Sequence, residues 1–150
     1  MSIFSVCRLL CILFLAWGIV GCSEGELALR DAWISEAPPN AVAQAGYFAI
    51  DNGTDQPRML VGAASTVFES IEIHRTLYDK GTGMARMVHE GQVEIAPRAA
   101  LRFEPGGYHL MLIKPKKVLR EGDRAPITLA FADGSRFEIE FVVRREGFRF

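Results

Sequence analysis

The stretch FEIEFV, residues 137–142, places apolar side chains at every second position up to Phe141. Because successive side chains of a β-strand point to opposite faces, this pattern predicts a strand with one face in a core and the other in water. Further stretches with strand character are residues 45–50, 67–74, 100–104 and 126–131. No stretch has the pattern of an amphipathic helix. Roughly eight or nine short strands at this spacing predict an all-β fold, an antiparallel sandwich or barrel, and of the two we expect a Greek-key β-sandwich.

Glycine-containing turns separate the predicted strands. Asn52-Gly53 and the turn that contains Gly81-Thr82-Gly83 are predicted to close hairpins, and Asp133-Gly134 is a further turn signal. The chain shows no internal repeat and no low-complexity segment. We therefore expect one sandwich domain.

The first residues have the features of an export signal. Arg8 gives a positive start, and the thirteen residues from Leu9 to Gly21 are apolar, fewer than the roughly 17–25 that span a bilayer. The apolar run ends at Cys22, as in a bacterial lipobox. We expect cleavage before Cys22 and acylation of its thiol, which would anchor the protein to the periplasmic face of a membrane. An ordinary signal with a chance cysteine is the alternative, and the sequence does not choose between inner and outer membrane.

This processing divides the chain. We expect a lipoprotein signal peptide at 1–21, a lipidated N-terminus and short linker at 22–30, a sandwich domain at 31–145 and a tail at 146–150. Cys7 and Cys11 leave with the signal and Cys22 is capped by lipid. The domain then has no free thiol and no disulfide, so its core alone must stabilise it.

Charge and motifs exclude several function classes. The 17 basic and 18 acidic residues are scattered, and the one dense basic cluster, residues 114–117, is predicted to be a solvated turn. Nucleic-acid binding needs a basic face, so no nucleic-acid partner is expected. The sequence shows no catalytic Ser–His–Asp arrangement and no glycine-rich phosphate loop. We expect a monomeric binding protein and no enzyme.

Histidine and methionine are concentrated in one part of the chain. His109 and Met111 are two residues apart, so in a strand they share a face. His74 shares the outer face of its strand with Glu72, opposite two isoleucines. The same part of the chain contains three further candidates: Met84, Met87 and His89. Surface histidines, with Met111 covering a neighbouring strand, are the alternative to a metal site.

The chemistry of these side chains selects the metal. Imidazoles and thioethers form a neutral, soft ligand set, which suits Cu(I) better than zinc or calcium. A blue-copper Cu(II) centre needs a cysteine thiolate, and the processed domain has none. The expected ligand set should hold Cu(I) and release it to an acceptor that contains cysteine. The sequence therefore predicts a Cu(I) carrier.

The spacing of these residues resembles that of the periplasmic Cu(I) chaperones called PCu(A)C, or PCuAC. Their signature is a histidine, ten residues, a methionine, twenty-one residues and His-x-Met. In this chain His74 is followed by twelve residues and Met87, and then by twenty-one residues and His109-Leu110-Met111. The segment PGGYHLML, residues 105–112, is similar to the most characteristic part of that family.

The resemblance implies a cupredoxin-like sandwich that binds one Cu(I) per chain. Its ligands would be His74, Met87, His109 and Met111. The longer first spacing leaves Met84 as a rival to Met87, and we expect His89 to be a neighbour of the site that does not bind the ion.

The resemblance also implies a role and a set of partners. The role is delivery of Cu(I) toward the Cu(A) centre of cytochrome c oxidase, with subunit II of that enzyme or a Sco-type protein as copper donor or acceptor. Two alternatives stay open on the sequence alone: a structural or adhesive lipoprotein sandwich without metal, and a copper-tolerance or storage protein.

Overall fold

The computed structural model describes residues 25–145, which form ten strands. The predicted signal peptide, the lipidation of Cys22 and the tail at 146–150 lie outside these residues. No helix in the described part of the chain is long and apolar enough to cross a membrane. The strands are β1 Leu27–Ser35, β2 Ala43–Asn52, β3 Arg58–Ala64, β4 Phe68–Tyr78, β5 Ala85–His89, β6 Val93–Ile95, β7 Ala100–Phe103, β8 Tyr108–Pro115, β9 Arg124–Phe131 and β10 Arg136–Arg144.

The strands are hydrogen-bonded in the order β5-β4-β8-β7-β2-β1-β10-β9-β3-β6. The sheet folds onto itself, so that β3 and β4 are in contact although they are not paired. The all-β sandwich prediction is confirmed. Two pairings, β1 with β10 and β7 with β8, are parallel, so the sheet is mixed. Parallel neighbouring strands need a long connection between them. A local turn signal in the sequence therefore does not predict such a pairing.

The core lies between the two halves of the folded sheet. In β10, Phe141 is fully buried, Phe137 and Ile139 are half-buried, and Glu138 and Glu140 are exposed. This is the alternation that the stretch at 137–142 predicts. Across the core, the Phe141 ring meets the Phe48 ring of β2 edge-on, with 5.9 Å between centroids.

The first strand begins before Asp31, where the domain was expected to start. Leu27 and Leu29 are half-buried and pack against the core. Asp31 then has a positive φ of 53°, and the register with β2 shifts between Arg30 and Trp33. This β-bulge interrupts the alternation, and it separates the first part of the strand from the buried residues that follow.

Asn52 ends β2 but does not close a hairpin. β3 pairs with β6 and β9, not with β2, so the hairpin prediction for Asn52-Gly53 is wrong. The buried Asn52 Nδ2 instead donates to the main-chain oxygens of Gln56, Ile95 and Ala96 at 2.8, 3.0 and 3.1 Å. Its Oδ1 accepts from the main-chain N–H of Thr54. The side chain thereby ties the turn to the end of β6.

The other predicted hairpin forms, and the turn signal at Asp133-Gly134 closes a second one. β9 and β10 pair through the Asp133-Gly134 turn, and β4 and β5 pair through the connection at 79–84. Within that connection, Asp79 Oδ1 accepts from the N–H groups of Gly81 and Thr82 at 2.7 and 3.0 Å. These bonds hold the connection in one conformation, and the connection in turn supports the register of β5 against β4.

Candidate metal centre

One end of the sheet brings the histidines and methionines together. β4 lies between β5 and β8 and is antiparallel to both. His74 of β4 is directly opposite His109 of β8 on one side and His89 of β5 on the other. Side chains directly opposite each other in adjacent strands share a face. The three imidazoles therefore form a row across three strands, which we call the histidine row.

The ring spacing in the histidine row is nearly even. The His74 and His109 ring centroids are 5.9 Å apart, and those of His74 and His89 are 5.6 Å apart. Exposure rises along the row. The His109 residue is 7% exposed, the His74 side chain is 13% exposed, and His89 is exposed on the edge strand. The row thus leads from the protein interior to solvent.

His109 presents one free nitrogen lone pair. Its Nδ1 lies 3.2 Å from the carbonyl oxygen of Gly107. A carbonyl only accepts, so Nδ1 carries the proton and Nε2 keeps its lone pair. Burial lowers the pKa of His109, a nearby charge on His74 lowers it further, and the Gly107 hydrogen bond opposes both. The neutral ring, which is the form that binds metals, is therefore favoured.

His74 also has a nitrogen with a free lone pair. Its Nε2 lies 2.9 Å from Glu72 Oε2, so Nε2–H donates to the carboxylate. Its Nδ1 is buried and has no hydrogen-bond partner. Buried polar atoms are nearly always paired, so an unpaired one calls for an explanation. A metal-binding imidazole usually donates its second nitrogen to a carboxylate or carbonyl, the arrangement that both His74 and His109 show.

The methionines lie beside the histidine row. Met111 is half-buried and is opposite Glu72 of β4 and Ala45 of β2. Met87 is opposite Thr76, on the same face as the row, and is 65% exposed. Met84 is 69% exposed in the connection before β5. The structure thus places Met111 and Met87 on either side of the row and Met84 outside the strands.

Residues 27–143 match the family described as "Putative lipoprotein LpqE-like". The chain belongs to the LpqE-like family. The LpqE-like chain is 29% identical over 113 residues to the "Putative lipoprotein Lxx21020" of Leifsonia xyli subsp. xyli, covering 75% of this chain and 66% of that protein. It is 34% identical over 90 residues to the "Uncharacterized protein RP573" of Rickettsia prowazekii, covering 60% and 49%. It therefore spans about two thirds and about half of the length of these two relatives.

Solved structures similar to the LpqE-like chain include PCuAC domains. The copper-bound PCuAC domain from PmoF2 superposes with a TM-score of 0.68 at 22% identity, over 82% of this chain and 96% of that one. The Cu(I) form of DR1885 from Deinococcus radiodurans gives 0.65 at 28% identity, over 85% and 84%. The predicted resemblance to PCuAC is confirmed for the fold, and the cupredoxin-like sandwich is established with it.

The three imidazoles of the LpqE-like chain do not converge on one point. Among residues 25–145, no three His, Cys, Asp or Glu side chains are arranged to hold one metal ion. A metal ion with three or more side-chain ligands on this face would therefore need at least one thioether sulfur in addition to imidazole nitrogens. His89, expected to be a neighbour of the site, is as close to His74 as His109 is. The register of β5 against β4 shows this closeness of His89 to His74. The spacing from Met87 to His109 in the sequence does not indicate it.

Proposed function

We propose that this protein is an extracytoplasmic Cu(I) carrier that binds one ion per chain through His74, His109, Met111 and Met87. The observation that carries the proposal is the pair of nitrogen lone pairs on adjacent strands. His74 Nδ1 has no hydrogen-bond partner among residues 25–145, His109 Nε2 keeps its lone pair, and the second nitrogen of each ring is held by an oxygen. Two oriented neutral imidazoles with methionines beside them form a site for a soft monovalent ion.

The ligand chemistry favours transport over catalysis. Residues 25–145 contain no cysteine, so the site would bind Cu(I) without a thiolate and without forming a disulfide. Thioether and neutral imidazole favour the reduced ion, and copper that stays reduced does not act as a redox catalyst. Copper is the cargo here, and the protein would not be an enzyme.

Comparison with solved proteins supports this proposal. DR1885, at 28% identity, has a structure solved in its Cu(I) form, and the PmoF2 domain was solved with copper bound. The relative from Leifsonia xyli is named a lipoprotein, which supports export and anchoring through Cys22. We propose that the site works at a membrane surface on the periplasmic side.

For the cellular role, we propose delivery toward the Cu(A) centre of cytochrome c oxidase. Subunit II of the oxidase or a Sco-type protein would accept the ion. The carrier would meet this acceptor at the membrane to which it is itself anchored. Transfer from the loaded carrier to an isolated apo Cu(A) domain, followed by the absorbance of the assembled centre, tests this role. Retention of copper by the carrier in the presence of that domain would refute it.

The binding test is an anaerobic Cu(I) titration of the full chain in detergent against a chromophoric competitor. We expect one tight equivalent for the unchanged protein and its loss in His109→Ala combined with Met111→Ala. Met59→Leu is the matched control, because it removes a thioether from β3, away from the histidine row. No binding by the unchanged protein, or equal binding by the double variant, would refute the proposal.

A further inference from the structure

We propose that His89 and His74 form a second Cu(I) position at the edge of the sheet, through which the ion leaves the protein. This inference rests on the proposed carrier function and adds an exit route to it. It assigns a role to His89, which the spacing of the other candidates left out.

The ring distances fit two positions that share His74. Two imidazoles bound to one metal through bonds of about 2 Å have centroids roughly 5–6 Å apart. The His74–His109 distance of 5.9 Å and the His74–His89 distance of 5.6 Å both fall within that range. The His74–His89 pair is thus as well spaced for a bridging ion as the pair in the proposed binding site.

The histidine row favours two successive pairs over one site with three histidines. The described residues contain no cluster of three such ligands around a common point, because the rings stand side by side across three strands. His74 lies in the middle and has two ring nitrogens, one on Glu72 and one without a partner. It can therefore stay bound to the ion while the ligand on the other side changes.

The exit step is a ligand exchange. A bond from the ion to His89 forms while the bond to His109 breaks, and the ion stays Cu(I) throughout. No electron is transferred, and each imidazole binds the ion through the lone pair of its neutral ring. The ion moves one strand outward, from a residue that is 7% exposed to one that is exposed on the edge strand.

The edge strand is the place where an acceptor can reach the ion. β5 has a neighbour on one side only, at the end of the strand order. Met87, on the same face as His89, is 65% exposed and could support the ion there. His109 and Met111 lie on β8, which is covered by β4 on one side and by β2 and β7 on the other. An acceptor ligand therefore meets the His89 position before it meets the buried one.

The first test separates affinity from transfer rate. Loaded full-length protein in detergent is mixed with an excess of a chromophoric Cu(I) chelator, and the transfer rate is recorded by stopped flow at an ionic strength that screens surface charge. We expect His89→Ala to keep the equilibrium affinity within about threefold and to slow transfer by about tenfold or more. Arg86→Gln is the matched control. Arg86 is exposed in the same strand, and it lies three positions from His89 and therefore on the opposite face.

Each result of the first test supports or overturns the proposal. An unchanged transfer rate in His89→Ala would overturn it. An affinity loss as large as that of His109→Ala would also overturn it, because His89 would then be a ligand of the resting site. If the unchanged protein does not bind Cu(I), the carrier function itself fails. Binding by the unchanged protein with no effect of His89 would refute the exit route alone.

The second test is a double-variant cycle at equilibrium. Once His109 is replaced by alanine, the ion can rest only at the His74–His89 pair, so the residual affinity should depend on His89. We expect His89→Ala to lower the affinity about tenfold or more in the His109→Ala background, while it has little effect in the unchanged protein. Additive effects of the two substitutions would refute the shared role of His74.

Discussion

Replacing Asn52 by aspartate should destabilise the protein strongly although the two side chains have nearly the same shape. The Nδ2 group shares its two hydrogens among three main-chain oxygens at 2.8–3.1 Å, and the residue is 1% exposed. An aspartate would put an oxygen, with no hydrogen to donate when ionised, against three carbonyl oxygens. The amide has two hydrogens, and at about 1.5 kcal/mol for each one withdrawn from buried acceptors the loss is about 3 kcal/mol before any charge repulsion.

Urea unfolding followed by circular dichroism measures this loss. A decrease of about 3 kcal/mol in the free energy of unfolding corresponds to a melting temperature roughly 10–15 °C lower for a domain of this size. Asn40→Asp is the matched control, because Asn40 is exposed, and it should change stability by less than about 0.5 kcal/mol. A loss below about 1 kcal/mol for Asn52→Asp would show that these three bonds do not hold the turn to β6.

Three further outcomes follow from the site and its support. The lowered pKa of His109 means that the unfolded chain takes up a proton first as pH falls below about 6.5, so the stability of the copper-free protein should decrease from there toward pH 5; urea midpoints that do not change between pH 7.5 and 5 would contradict this. Glu72→Ala removes the acceptor that orients His74 and should weaken Cu(I) binding about tenfold in competitor titrations, with a smaller effect for Glu72→Gln; equal effects of the two would argue against an orienting role. Leu110→Ala, at a fully buried position between the two proposed β8 ligands, should lower the free energy of unfolding by about 2–5 kcal/mol in the same urea assay, and a loss under about 1 kcal/mol would show that the core relaxes around this position.

The fold class could be predicted because a half-buried strand has alternating apolar and polar residues in its own sequence. The stretch at 137–142 alternates in the sequence as it does in β10, where Phe141 is buried and Glu140 exposed. No such local pattern shows which strands pair with each other. The parallel pairing of β1 with β10 joins the two ends of the domain, and the side chain of Asn52 acts on β6, which lies more than forty residues away. The asparagine–glycine pair has the composition of a hairpin turn, but tertiary hydrogen bonds decide its use here.

The candidate site, like the fold, has one part that the sequence predicts and another that depends on strand pairing. That His109 and Met111 share a face follows from the period of a strand, as does the shared face of His74 and Glu72, which the hydrogen bond between them shows. The position of His89 opposite His74 depends on the register of β5, which the connection at 79–84 sets. A one-residue slip would turn His89 to the other face. The sequence could therefore give the residues of the site but not the order of the histidine row.

The uneven burial of the methionines has a consequence for oxidative damage. Peroxide converts accessible methionine to its sulfoxide, which replaces a soft sulfur donor by a polar oxygen. Met84 and Met87 are exposed, whereas Met111 is half-buried on β8. An oxidant that reaches the protein would modify the edge strand first and leave the inner thioether intact for longer. Under such stress the proposed site would lose its Met87 ligand first and keep His74, His109 and Met111, so copper would be held more weakly until a sulfoxide reductase restored the thioether.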